Sequence, residues 1–310
     1  MRIKSSLLFL MIFIFCHHLV MAKDYYVHPL KGNDNNSGLS KEQAFKTLKR
    51  AIAIDFQAGD RLLLASGQTF NGTLRLIDKQ GTEEHPISIT TISWEVNDEL
   101  IPAIIDFKGE PNGILIEDCS FISISNIQLT ANGHFSDSEK SSKMRCGILI
   151  SNKLSKTMSK IVISDVTIND VYYENSGFIR GKEEVKTANG TQKYGWGIRV
   201  INNNPKALIK DVQIKNCSIT NVSHTGIKLT GNNKNIFDVD ITNNTIKSTG
   251  GPGIQMSEVK DVYVSNNYVS HSGSPDDSRK WGRGSGLWTW GASNILIEKN
   301  KDKYGIQTST

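Results

Sequence analysis

The chain has 310 residues, 38% of them hydrophobic, and a formal net charge of +5. That length and apolar content allow a sizeable core in one large domain or two, and so mild a charge, with no basic run, excludes nucleic acid as the expected partner. Setting aside Cys16 in the N-terminal segment leaves Cys119, Cys146 and Cys217, an odd and sparse set that argues against a disulfide framework and has no metal-ligand spacing with histidine.

Arg2 and Lys4 precede an apolar run from Leu7 to Phe15, and Val20-Met21-Ala22 follows. Residues 1–22 read as a secretory signal peptide, which implies a secreted or periplasmic protein with no membrane association once it is removed. The run is short for a membrane span, and His17 and His18 interrupt it. Residues 23–56 read as the cap of a repeat array. Asp24 to Val27 is strand-like, and Ser40 to Gln43 has the form of a capping box opening a helix with Ala44, Leu48, Ala51 and Ile52 on one face.

Residues 57–300 carry short apolar runs between turns, and from Gly113 they repeat. Segments restart at Gly113, Gly147, Gly197, Gly226, Gly253 and Gly286, at spacings of 34, 50, 29, 27 and 33 residues. Three apolar columns align: Ile114, Ile148, Ile198, Ile227, Ile254 and Leu287; Ile124, Ile163, Ile214, Ile241, Val264 and Ile297; and Leu129, Ile168, Ile219, Ile246 and Val269. Alternation along short strands turns each column inward, and stacking coils is what buries them. A further column changes from Cys217 to Asn244, Asn267 and Asn300, where stacked amides hydrogen-bond along the array and Cys217 packs. The next inward position is Asp302 in place of an aliphatic residue. Residues 301–310 are therefore expected to form an irregular tail, and the chain to be a fragment or a truncated relative.

Coils opening in Gly-Ile, an Asn ladder and a strand–helix cap after a signal segment resemble the right-handed parallel β-helix proteins of the pectate-lyase-like superfamily. The stretches Tyr194-Gly-Trp-Gly-Ile-Arg, His224-Thr-Gly-Ile-Lys and Arg279-Lys-Trp-Gly-Arg-Gly-Ser-Gly-Leu-Trp-Thr-Trp are similar to those of secreted bacterial members. The resemblance implies an all-β, single-stranded right-handed parallel β-helix with an N-terminal cap and a polysaccharide substrate. It carries over no catalytic residue.

Three insertions, residues 130–146, 169–196 and 270–285, leave between the same two repeat positions, whereas the connections 220–225 and 247–252 are short. The expected result is two walls about a low floor, and function tends to sit on such loops. One residue beyond each inward restart lies an outward row ending in Arg199, Lys228, Gln255 and Trp288. Cations suit carboxylates or sulfates, and an indole face suits a sugar ring. With Trp290, Arg283 and Trp196, these are the candidate substrate-binding residues; Trp288 and Trp290 are expected to be exposed, as at a binding surface. The wall acids are Asp170, Glu174, Glu183, Glu184, Asp276 and Asp277, and paired carboxylates across a cleft are what glycoside hydrolysis needs. Glu183, Asp276, Asp277 and His224 are the candidate catalytic residues. A lyase would instead need a base of lowered pKa beside cations. The expected function is binding and cleavage of a polysaccharide or oligosaccharide by a monomer, hydrolysis ahead of elimination, with a non-catalytic glycan-binding solenoid as the alternative. No cofactor is expected: Asp and Asn are abundant, but no loop has calcium-ligand spacing.

Overall fold

The computed structural model describes residues 22–97, 99–135, 144–179 and 193–304. Nearly all regular structure is β-strand, arranged in three parallel sheets. Sheet A has nine strands, sheet B eight and sheet C seven among the described residues. Each coil passes through A, B and C in turn; one coil is Leu208–Lys215, Ser218–Val222 and Ile227–Thr230. The strands of successive coils pair in parallel, giving a right-handed parallel β-helix.

The three apolar columns are the interior up to the last coil, where Leu287 is half-buried and Ile297 is exposed. Ile163 pairs with Ile124 and Ile214, Ile168 with Leu129 and Ile219, and Ile198 with Ile148 and Ile227, all fully buried. A fully buried aliphatic side chain contributes roughly 1.5–3 kcal/mol, so dozens of them along one axis hold the array together. The first coils, irregular in sequence, already obey the pattern: Arg61–Ala65 lies in sheet A, Thr69–Asn71 in B and Leu74–Ile77 in C.

Sheets A and B meet at a sharp corner. Asn126, Asp165, Asn216, Asn243, Asn266 and Lys299 occupy it, each with φ between 51° and 57°. Asn and Asp visit this left-handed region at lower cost than other side chains with a Cβ. The following residue forms the ladder. Asn267 Oδ1 accepts from the backbone and side-chain nitrogens of Asn244, each at 2.9 Å, and Asn300 Oδ1 does the same for Asn267. Asn244 Oδ1 accepts from the Cys217 amide at 2.9 Å, so the ladder begins where the buried thiol stands. Burial pushes the Cys217 thiol up to about 12, as befits a packing residue.

The restart glycines form a column for a different reason. A Cβ on Gly197 would lie 2.3 Å from the Gly226 carbonyl oxygen, and one on Gly226 would lie 2.7 Å from that of Gly253. The coils approach too closely there for any side chain.

Two expectations at the ends are corrected. Ser40 Oγ accepts from the Gln43 amide at 3.2 Å, but the segment is a turn. The helix is only Leu48–Ala51, with Thr47 as its N-cap; Asp34 accepts from the Thr47 amide and hydroxyl and so fixes that start. At the other end Lys301–Lys303 is a strand of sheet B, not irregular, and Asp302 pairs with Val269 at the inward position. Burial raises the Asp302 carboxyl above its ordinary range.

Candidate functional site at the corner between sheets B and C

The three insertions leave at one corner, as expected. Sheet B strands end at Asn132, Tyr172 and Ser272, and the following sheet C strands begin at Arg145, Gly195 and Leu287. The outward row is in register across sheet C: Leu149 pairs with Arg199, Arg199 with Lys228, Lys228 with Gln255 and Gln255 with Trp288.

The open floor is not found. The third insertion folds back across the short connections, where Trp281 N donates to Ser223 O, Arg283 N to Gly250 O and Gly273 N to Gly251 O, each at 3.0 Å. Lys228 and Gln255 are each only 1% exposed, so the middle of the row is roofed. Short connections carry free backbone groups at their outer edge, and a long neighbouring loop satisfies them by lying over them.

Two buried cations pin this roof. Arg279 donates to both carboxylate oxygens of Asp277 at 2.9 and 2.7 Å, to Asn132 Oδ1 at 2.7 Å and to Glu174 O at 3.1 Å. Its guanidinium lies 3.6 Å from the centroid of the Tyr172 ring. Lys280 Nζ donates to Ser248 O at 2.8 Å and to Asp276 at 2.7 Å. One turn-like segment is thereby tied to both the first and second insertions.

The roof places Trp281 over His224. The His224 ring stacks on Trp196 at 3.7 Å between centroids and on Trp281 at 4.5 Å, with interplanar angles of 20° and 15°. Two indoles cannot share one face of an imidazole, so His224 is sandwiched. Tyr194 meets the same ring edge-on at 5.3 Å, and His224 Nδ1 lies 2.8 Å from Thr225 Oγ1. Cations adjoin the stack: the Arg199 guanidinium is 4.4 Å and Lys228 Nζ 5.3 Å from the Trp196 ring centroid. Arg283, exposed, is 6.0 Å from the Trp281 ring. Burial, then the neighbouring Arg199 charge, brings the Lys228 ammonium down to about 7. Burial also lowers Arg199 from its ordinary value.

The candidate residues therefore divide. Trp196, Arg199, His224 and Lys228 converge. Gln255 continues the row beneath the roof. Trp288 and Trp290 stand exposed at its end, 39% and 60% accessible. Asp276 and Asp277 do not face the stack as free acids; each is held by the cation that pins the roof. Arg279 keeps Asp277 ionised, below the ordinary carboxylate range, which unsuits it to donate a proton. Asp170 accepts from Asn169 and Asn221. Glu174 is buried with its carboxylate 3.8 Å from His134. Glu183 and Glu184 lie outside the described residues. The reading from sequence missed Trp281. Its signal was local: Asp276-Asp277 followed at once by Arg279-Lys280-Trp281, two salt-bridge spacings that brace an indole.

Known proteins agree with this architecture. The sequence profile of a right-handed β-helix region matches residues 196–305. A lacto-N-biosidase of Bifidobacterium longum subsp. longum is 25% identical over 321 residues, spanning 89% of this chain and 18% of its own. The solved GH136 lacto-N-biosidase from Eubacterium ramulus superposes with a TM-score of 0.71 at 20% identity, over 90% of this chain and 51% of that one. A rhamnogalacturonan lyase gives 0.50 at 12% identity, over 93% and 64%. The chain thus spans about half the length of the Eubacterium structure and a smaller part of the Bifidobacterium protein. By strand order, register and these likenesses, it is a right-handed parallel β-helix protein.

Proposed function

We propose that this chain is a secreted carbohydrate-active β-helix that binds a glycan at the corner between sheets B and C and cleaves it by hydrolysis. The stack of Trp196, His224 and Trp281 beside Arg199 and Lys228 carries this reading. Indole faces take the C–H face of a sugar ring, convergent polar groups fix its orientation, and the rigid sheet beneath keeps both in place. The lacto-N-biosidases among its relatives support hydrolysis.

Hydrolysis needs two carboxyl groups roughly 5–10 Å apart. Asp277 and Glu174 meet at one guanidinium, the first through its carboxylate and the second through its main-chain oxygen. Asp277, held ionised by Arg279, is the carboxylate of the pair that stays deprotonated, and Glu174, buried 3.8 Å from His134, is the second carboxyl group. Elimination is a second reading, favoured by one observation. Lys228, brought down to about 7, is a base available near neutral pH beside the cation Arg199.

Incubation with neutral and uronic polysaccharides decides between them. New reducing ends without ultraviolet absorbance of an unsaturated uronate are expected; that absorbance would transfer the assignment to elimination. Saturable binding with no cleavage of any member would leave a glycan-binding solenoid. Secretion follows from residues 1–22 and is checked by fractionating cells expressing the chain, with the protein expected outside the cytoplasm and shortened.

A further inference from the structure

The polar groups of the Asn ladder are paired, and those around the aromatic stack include donors that are not. Trp196 Nε1, Trp281 Nε1 and Arg199 Nε are each buried with no hydrogen-bond partner among the described residues. An indole and a guanidinium can only donate, so whatever completes this corner must bring acceptors. An orphaned buried donor bears its desolvation cost with nothing to offset it, and three beside one aromatic stack are a concentrated deficit.

The charge deficit is sharper. Arg199 contacts the Met144 sulfur and the Trp196 ring, neither of which is an anion. Its registered neighbour across the strand pair is another cation, Lys228. A guanidinium cannot shed its charge at any ordinary pH, so Arg199, half-buried with its Nε enclosed, is best stabilised by a partner of opposite sign. The wall acids Asp276 and Asp277 are engaged by Lys280 and Arg279. The complement to fixed positive charge, donor-only edges and flat apolar faces is a ring that carries an oxyanion.

We propose that Arg199, Trp196 and Trp281 form a subsite for a sugar-borne oxyanion, a carboxylate or a sulfate ester, so that the preferred glycan is acidic. Arg199 binds the anion, and the two indole N–H groups donate to its oxygens or to adjacent hydroxyls. This rests on the reading of the corner as the glycan site.

The test titrates the full chain, followed by tryptophan fluorescence, with methyl glucuronide, glucose 6-sulfate and methyl glucoside. Binding of an acidic probe about tenfold tighter than the neutral one is expected, with the margin shrinking at high salt; whichever acidic probe binds tighter identifies the anion. Arg199→Met should abolish the preference, the acidic probe losing about tenfold more affinity than the neutral one. Trp281→Phe, which keeps a ring and deletes the donor, should weaken the acidic probe by about threefold. Equal affinities for acidic and neutral probes overturn the anion subsite while leaving the glycan site standing. A preference that survives Arg199→Met, or that ignores salt, overturns it too. No response to any sugar removes the glycan site and the subsite together. The salt series needs only the unaltered chain, so the proposal stays exposed even if Arg199→Met does not fold.

Discussion

At the corner between sheets A and B, every coil from residue 126 onward turns on one residue of positive φ. The next position fills with an amide ladder from Asn244 to Asn300 whose oxygens and nitrogens are all used. At the corner between B and C the chain departs for up to two dozen residues and returns with a roof, an aromatic stack, the buried Lys228 beside the half-buried Arg199, and donors that have no partner among the described residues. Both corners stand on the same stacked core. Polar groups at the first serve the scaffold and are satisfied within it. At the second they are held in place by the scaffold but left incomplete, which is what a site awaiting a ligand requires. Substitutions at the two corners should therefore fail in different ways.

The largest effect belongs to the ladder. Asn267→Ala removes the acceptor of two Asn244 nitrogens, one of the two donors to Asn300 Oδ1 and the donor to Ile241 O, while the backbone amide of residue 267 stays on Asn300. At about 1–3 kcal/mol for each buried group stranded, unfolding in urea should show a loss of about 3 kcal/mol or more. Glycan affinity per folded molecule should not change. A loss well under 1 kcal/mol would mean that the ladder is ornamental.

The roof gives a smaller and pH-dependent effect. Arg279→Met breaks the bidentate pair with Asp277 and the bonds to Asn132 and Glu174. Asp277 keeps 27% of its side chain exposed and can rehydrate, so the cost is expected at about 2 kcal/mol. The folded-state pKa of Asp277 is depressed, chiefly by its hydrogen bonds to Arg279. The stability it contributes is present above the ordinary carboxylate value and lost as pH falls through the folded value. The gap between the variant and the parent should accordingly narrow in acid, measured by denaturation at neutral and acidic pH. Trp281 should lose its fixed place on His224, so glycan affinity falls here although it does not for Asn267→Ala.

Sequence carried the fold because the fold is periodic. Ile198, Ile227 and Ile254 announce themselves as a column since each coil repeats the same inward demand, and the row Arg199, Lys228, Gln255 and Trp288 follows from the same register. The ladder was readable for that reason too. The roof was not, because an insertion has no register: Trp281 reaches His224 across 57 residues through contacts of Arg279 and Lys280 with coils far earlier in the chain. Asp276 and Asp277 looked like free acids because their partners, two to four residues on, are not distinguishable in sequence from solvated loop charge. The capping box at Ser40 failed for a local reason. Asp34 accepts from Thr47 and Lys46 and starts the helix about two turns later.

The smallest expected effect concerns the sign of a change, not its size. Lys228 lies beneath the stack, and its folded value of about 7 is below the ordinary 10.5. Below pH 7 both folded and unfolded chains carry its proton, and the fold bears the full cost of burying the charge next to Arg199. Between about 7 and 10.5 the folded chain has released that proton while the unfolded chain still holds it, so the parent gains stability as pH rises through that window. Lys228→Met removes the charge and keeps the bulk. It should be more stable than the parent by about 1 kcal/mol at pH 6, with the advantage fading towards pH 10, as read by denaturation across the series. The same substitution deletes the row's second cation, so a more stable protein that binds acidic sugar less well is the expected pairing. If Lys228→Met were destabilising at every pH, the ammonium would belong to the scaffold, and the contrast between the two corners would not hold at this position.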